Sequence, residues 1–331
     1  MNSNDILVLT PRDIQTLLTL EESIEAVERA FRLYGEGKAA PPAVLSMHTE
    51  HGGFHIKAGM LCLNRQYFGA KVNGNFPGNP ARCGLPTIQG VVILCDAGNG
   101  TRLAVMDSRD ITTLRTAAAT AVAAKYLSRK DSQVVTVCGC GTQGRVQLRA
   151  LARVRPVKGA FAYDSDREQA ARFSRELASE LNVKVTQVTD LAAAACQSDI
   201  CVTCTPSHEP LLGPDDVRPG AFVAAIGADN PHKQEIHPGL MAKSKIICDV
   251  VEQCAMMGDL HHALDAGAMT IADVHAELGA IVAGQKPGRE SQEEIIIFDS
   301  TGMALQDVTT AAMLYEKAEK LGSGVRLNFA A

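Results

Sequence analysis

No stretch of this 331-residue chain approaches the roughly 18 consecutive apolar residues that a bilayer-spanning helix needs, which excludes a helical membrane protein. Positive charge is not in excess either. Against 37 Asp and Glu there are 32 Lys and Arg, and the net charge of -5 gives no general attraction to nucleic acid or to an anionic membrane. The opening Met1-Asn2-Ser3-Asn4-Asp5 lacks the basic and apolar regions of a signal peptide, so a cytoplasmic protein is expected. There is no internal repeat and no low-complexity segment. What remains is ordinary for an enzyme, with 46% hydrophobic and 21% charged residues and length enough for two domains with real cores.

Cysteine is not scarce, but its placement weakens a metal or disulfide reading. Cys138 and Cys140 flank a glycine, and Cys201 and Cys204 share one predicted strand, where positions three apart point to opposite faces and make a poor chelate. His261 and His262 diverge by about 100° on a helix. No metal is expected, and the thiols read as reduced, small apolar packing.

The most informative stretch is Val134 to Arg145. A run of β-formers feeds Gly139, Gly141 and Gly144 in the spacing G-x-G-x-x-G, and a helical pattern follows through Val146, Leu148, Leu151 and Val154. This is the strand, tight turn and helix of a dinucleotide-binding unit: Gly139 lets the chain turn, Gly141 lets backbone approach a pyrophosphate, and Gly144 lets helix pack on strand. A second strand, Gly159 to Tyr163, ends at Asp164, roughly 20 residues on, where a carboxylate can accept from an adenosine ribose. Ser165 and Asp166 follow, so a 2′-phosphate would meet like charge. NAD(H) is expected over NADP(H).

Around this unit the chain reads as two domains. The first third is α+β, with a helix starting at Thr10-Pro11-Arg12-Asp13, sequential strands, and a hairpin through Asn99-Gly100. An alanine-rich helix from about Thr112 to Leu127 leads into alternating strands and helices, the pattern of a Rossmann-type doubly wound parallel sheet. A final helix from about Met303 returns toward the first domain. The expected division is a smaller α+β substrate and dimerisation domain, 1–120 with a C-terminal helix 304–331, and a NAD-binding Rossmann domain, 121–303.

Several polar residues stand where chemistry is expected. Asp229 lies just past an apolar strand beside Ile226 and Gly227, where a half-withdrawn carboxyl could trade a proton with substrate; an Asx-turn or cap is the other reading. Lys71 stands inside an apolar strand segment, either on an edge facing solvent or facing a cavity. Arg115, near a helix start among small apolar neighbours, asks for a partner anion. Lys57, between Ile56 and Ala58, is similar. If these cations share a cleft with nicotinamide, they would hold a carboxylate.

These residues resemble the ornithine cyclodeaminase and mu-crystallin family, which also contains alanine dehydrogenases and ketimine or imino-acid reductases. The resemblance runs from about Ile6 to Leu321 and rests on Lys71-Val72, Gly84-Leu85-Pro86-Thr87, Leu114 to Ala118, Gly139 to Gly144, Ile226 to Asp229 and Asp299-Ser300-Thr301-Gly302. It implies that Lys71 and Arg115 bind a substrate α-carboxylate and that Asp229 is the general acid/base. It also implies that Thr87, Arg115, Thr142, Gln143, Asp164, Thr205, Lys233 and Ser300 line the cofactor, and that the protein is a homodimer through its first domain. The chain departs from the family where it has Ala43 in place of a substrate-binding arginine and Lys57 in place of a Met-Pro pair. The expectation is an NAD(H)-dependent imine reductase or amino-acid dehydrogenase for a small α-imino or α-amino acid; Lys57 either binds the α-carboxylate in the missing arginine's place or meets a second carboxylate, which would point to a dicarboxylic substrate such as iminosuccinate. A cyclodeaminase acting on ornithine or lysine with catalytic NAD is the alternative, and a non-catalytic small-molecule binder of the mu-crystallin kind is a third.

Overall fold

The computed structural model describes residues 5–328. The chain divides into two compact units, Met1–Arg115 with Met303–Ala331, and Thr116–Gly302. In chain order the first contains β1 (Asp5–Leu9), α1 (Pro11–Leu17), α2 (Leu20–Gly35), β2 (Ala43–Thr49), β3 (Gly52–Cys62), β4 (Gln66–Asn75), α3 (Asn79–Cys83), β5 (Ile88–Asp96) and β6 (Arg102–Asp107). Helix α4 (Arg109–Leu127) carries the chain into the second unit, which begins β7 (Val134–Cys138), α5 (Thr142–Val154), β8 (Gly159–Tyr163), α6 (Arg167–Leu181) and β9 (Lys184–Gln187). It continues through α7 (Leu191–Ala195), β10 (Ile200–Thr203), β11 (Phe222–Ala225), α8 (Pro238–Ala242), β12 (Lys245–Cys248), α9 (Val251–Met257), α10 (Asp259–Asp265), β13 (Ala276–Glu277), α11 (Leu278–Val282) and β14 (Ile296–Asp299). The chain then returns to the first unit as α12 (Ala304–Leu321) and β15 (Val325–Asn328).

The second unit is a Rossmann-type α/β fold. Its sheet runs in the order β13-β12-β14-β11-β10-β7-β8-β9, and every neighbouring pair is parallel. Central strands β10, β11 and β14 are buried along their whole length, as their unbroken apolar runs require when helices cover both faces. The turn from β7 to α5 is where the order of connection reverses, so β8 lies to one side of β7 and β10 to the other.

The first unit is built on a mixed sheet in the order β15-β1-β6-β5-β4-β3-β2. Thr10 and Thr19 begin α1 and α2 with reciprocal capping boxes closed by Asp13 and Glu22. One sheet face is covered by α12, which approaches so closely that a Cβ on Gly59 would meet Leu305 at 2.8 Å and one on Gly69 would meet Val308 at 2.7 Å. The opposite face carries exposed Leu45, Met47, Phe54, Met60, Phe68 and Ile93.

A helix reaching residue 331 gives way to a shorter one. Gly322, at φ +65, ends α12 in a left-handed turn, and β15 pairs antiparallel with β1. Residues 329–331 of the expected helix lie outside the described ones. Among the described residues no helix is long and apolar enough to cross a membrane.

Candidate active site

In the second unit the glycine spacing produces a seat with open backbone. Gly139 has φ +99, and a Cβ there would lie 2.9 Å from the Cys204 carbonyl; on Gly144 it would lie 2.0 Å from the Gly139 carbonyl. Neither position admits a side chain. Gly141 caps α5 without a side-chain hydrogen bond, and no atom stands within 4 Å of where its Cβ would be. The 13-residue helix that Thr142 and Gln143 open therefore starts with no side-chain cap on its first N–H groups. A cavity of about 540 Å³ adjoins this turn, lined by Gly139, Gly141, Asp164, Ser165, Cys204 and Thr205 among others. Asp164 is held there by the Cys140 N–H at 2.8 Å and the Gln169 amide at 2.9 Å, both donating to Oδ2, while the Asp166 N–H donates to Oδ1 at 2.9 Å. Two oxygens so anchored retain lone pairs for ribose hydroxyls. Open helix end, glycine contacts and an acid at the neighbouring strand end together fit a dinucleotide. Burial raises the Cys140 thiol to about 12, which keeps it a protonated packing group.

At the next strand ends, Asp229 is half-withdrawn from water and paired. It forms an ion pair with Lys233 at 2.7 Å, with the aspartate side chain 45% exposed. Around nearby strand ends lie further carboxylates: Glu235 and Asp249, which the sequence pattern does not single out, and Asp299, which belongs to one of the quoted motifs. Glu235 Oε1 accepts from the Thr205 N–H and Oγ1, both at 2.7 Å, and Oε2 accepts from the Gly227 N–H at 2.7 Å. Asp249 accepts from Ser300 Oγ at 3.0 Å and the Gly302 N–H at 2.6 Å. Asp299 accepts from the Leu260 N–H at 2.8 Å, and its carboxyl is pushed up to about 7 by burial, with Asp249 adding to the effect. Ile226 and Ser300 are buried beside these anchors.

In the first unit Lys71, Lys57 and Arg115 come together. Register places Lys57 directly opposite Lys71 on β3 and β4, so both side chains share one face, and both are buried. Lys71 therefore faces inward rather than lying on a solvent edge. Ala43 pairs with Ala58, one residue out of phase, so Val44 rather than Ala43 opposes Lys57. Thr87 leads into β5, its carbonyl accepting from the Phe76 N–H at 2.8 Å. The anion that Arg115 calls for is Asp307, a residue sequence reasoning passed over. Its Oδ1 accepts from Lys71 Nζ at 2.9 Å and from Arg115 Nε at 3.1 Å, while Gln306 Oε1 accepts from Arg115 Nη1 at 2.9 Å. The available signal was a Gln-Asp pair in the first turn of α12, ahead of a stretch from Val308 to Leu314 with no charged residue. Burial, then the Arg115 charge, lower Lys71 to about 7 against the pull of Asp307. Burial resists ionisation of Asp307, but Arg115 and Lys71 outweigh it and hold the carboxyl below its ordinary range.

The parallel sheet, its glycine turn and the ribose-side acid define a Rossmann-type NAD-dependent oxidoreductase. The chain belongs to the ornithine cyclodeaminase/mu-crystallin family, which matches over residues 4–322. It is 41% identical to an alanine dehydrogenase of Archaeoglobus fulgidus over 325 residues, 98% of this chain and 99% of that protein. An archaeal alanine dehydrogenase dimer solved with bound NAD superposes with a TM-score of 0.93 at 40% identity, covering 98% of this chain and 99% of that one. The iminosuccinate reductase of Paracoccus denitrificans, solved with NAD+, gives 0.88 at 33% identity, covering 98% and 99%. The chain is thus an NAD-dependent oxidoreductase acting on C=N and CH–NH2 groups.

Replacing Asp307 by Asn should leave buried cations without their carboxylate, at a cost of about 3–5 kcal/mol. Lys71 would then lose the charge that raises its pKa. With that pull gone its pKa falls still further below the ordinary 10.5, so the variant's extra cost of burying a charged Lys71 is felt below about pH 7, where the parent's Lys71 carries its proton, and is absent above it. Thermal melts of Asp307→Asn against the parent should therefore show a deficit that is largest in acid and smaller, though still present because of Arg115, at alkaline pH. An equal melting temperature at pH 6 would contradict this role for Asp307.

Proposed function

We propose that the protein is an NAD(H)-dependent imine reductase, or amino-acid dehydrogenase, that interconverts a small α-imino acid and its L-amino acid, with a dicarboxylic imine such as iminosuccinate, giving aspartate, as the preferred substrate. The observation that carries this reading is the buried pair Lys57 and Lys71. Like charges directly opposed across two strands are unfavourable, and Arg115 adds a third cation around Asp307. Such a cluster is suited to an anionic ligand with more than one carboxylate. The likeness to an iminosuccinate reductase agrees with it.

In this reading Lys71 and Arg115 bind the α-carboxylate and Lys57 meets the second one. Arg115 offers a planar fork, aligned by Asp307 and Gln306, and Lys71 a point charge. The cofactor is held by Gly139, Gly141 and Gly144, by the α5 start at Thr142 and Gln143, by Asp164 at the ribose, and by Thr87, Thr205, Ile226, Gly227, Lys233 and Ser300. Bound NAD(H) supplies or accepts the hydride. Asp229, steered by Lys233, gives the imine nitrogen its proton in reduction and takes it back in oxidation.

The same reading includes a homodimer. The exposed apolar face of the first sheet, from Leu45 and Met47 across Phe54 and Phe68 to Ile93, exceeds what a lone chain keeps in water, and the archaeal relative was solved as a dimer. A reducing, cytoplasmic setting is supported by ten cysteines, all free thiols.

NADH consumption with ammonia should be faster for oxaloacetate than for pyruvate, and Lys57→Met should erode that preference by about 10- to 100-fold in kcat/KM. Ammonia released from ornithine without net NADH change would instead assign a cyclodeaminase. Asp229→Asn should keep NAD affinity while kcat falls by about 100-fold or more; retained turnover removes Asp229 from proton transfer. Light scattering should give twice the chain mass, reduced to one by Phe68→Glu. A parent protein that runs as a monomer would overturn the dimer.

A further inference from the structure

The loop that follows β11 carries both Asp229 and Lys233, and its own composition, Gly227-Ala228-Asp229-Asn230-Pro231-His232, gives it no regular structure. Its shape is imposed by one buried side chain. Glu235 Oε2 accepts the Gly227 N–H at 2.7 Å, closing the loop at its base, while Oε1 takes the Thr205 N–H and hydroxyl, each at 2.7 Å. One carboxylate therefore joins the ends of β10 and β11 to the segment leading into α8. Contact is tight enough to exclude any side chain at Gly227, where a Cβ would lie 2.3 Å from the Thr205 carbonyl and 2.6 Å from the Glu235 carboxyl carbon.

Glu235 is itself braced. Its N–H and that of Ile236 donate to Asp259 Oδ1, both at 2.8 Å, and its carbonyl accepts the Leu211 N–H at 2.7 Å. Further along the loop, His262 Nε2 donates to the Lys233 carbonyl at 2.8 Å. Glu235 has no exposed surface, so its role lies wholly in these bonds. A glutamine of the same shape could accept on one side only, because its amide would present N–H to a backbone N–H.

On a doubly wound sheet the turn after the first strand takes the pyrophosphate, and the two halves of the dinucleotide lie over strands on either side of it. Here Asp164, after β8, marks the adenosine side, so the turns after β10 and β11 belong to the nicotinamide side. We propose that Glu235 is a positioning residue that shapes the nicotinamide side of the cofactor seat, fixing the turns at Thr205 and Gly227 and thereby the presentation of Asp229 and Lys233. It touches neither cofactor nor substrate, and the inference holds whichever imino acid is reduced.

The test is Glu235→Gln, with NAD+ and ADP-ribose binding measured by calorimetry. NAD+ should bind about tenfold more weakly, the effect of one charge-assisted hydrogen bond lost. ADP-ribose, which lacks nicotinamide, should bind as before. Equal weakening of both ligands would mean general loosening of the unit and would overturn the proposal, as would unchanged NAD+ affinity. Should the variant not fold, hydrogen exchange on the parent protein decides. The amides of Thr205 and Gly227 should be protected without NAD+ as strongly as the interior of β11; protection gained only on adding NAD+ would show that the cofactor, not Glu235, orders these turns.

Discussion

Charge removed from water has to be answered in place, and in the first unit the answer is Asp307. Lys71 comes from a strand, Arg115 from the start of a helix and Asp307 from a helix far along the chain, yet all three are buried and hydrogen-bonded. The helix that brings the carboxylate is also the one that covers the sheet through Gly59 and Gly69. Charge cluster and core are therefore one structure: shifting α12 to relieve packing would also pull Asp307 away from Lys71 and Arg115.

The second unit uses buried carboxylates differently. Glu235 and Asp249 accept from backbone N–H groups just past β11 and β14, Asp259 from those of Glu235 and Ile236 in the loop before α8, and Asp299 from those at the start of α10, all places where ladder or helix bonding supplies no partner. Each anchors a turn that lacks regular hydrogen bonding. Burial, with neighbouring carboxylates adding to it, raises the pKa of Asp299 and Asp259. Irregular loops at the carboxyl edge of the sheet are thus fixed from beneath rather than by their own sequence.

How much of this the amino-acid sequence discloses depends on range. The glycine turn is legible because Gly139 and Gly144 are dictated by contacts within a few residues of themselves and by one neighbouring strand. Lys71 and Arg115 are legible as anomalies, cations in apolar surroundings. Their common partner is not, because Asp307 lies 236 and 192 positions away, and an acid in a helix's first turn is ordinary in itself. Glu235 is hidden for the same reason: a glutamate between Gln234 and Ile236 reads as surface until strand ends converge on it. The phase of Ala43 also needed the register, which a strand's composition leaves open.

The route of the chain bears on how the protein is made. Residues 304–321 leave the ribosome after the whole of the second unit, yet they complete the layer over a sheet whose strands β1 to β6 emerge before that unit. During synthesis the first unit must wait, its lysines and arginine still hydrated, while the second, contiguous from Thr116 to Gly302, has all its parts in hand. Translation that stops short of α12 would yield a finished nucleotide-binding half tethered to an unfinished sheet whose lysine and arginine still lack Asp307.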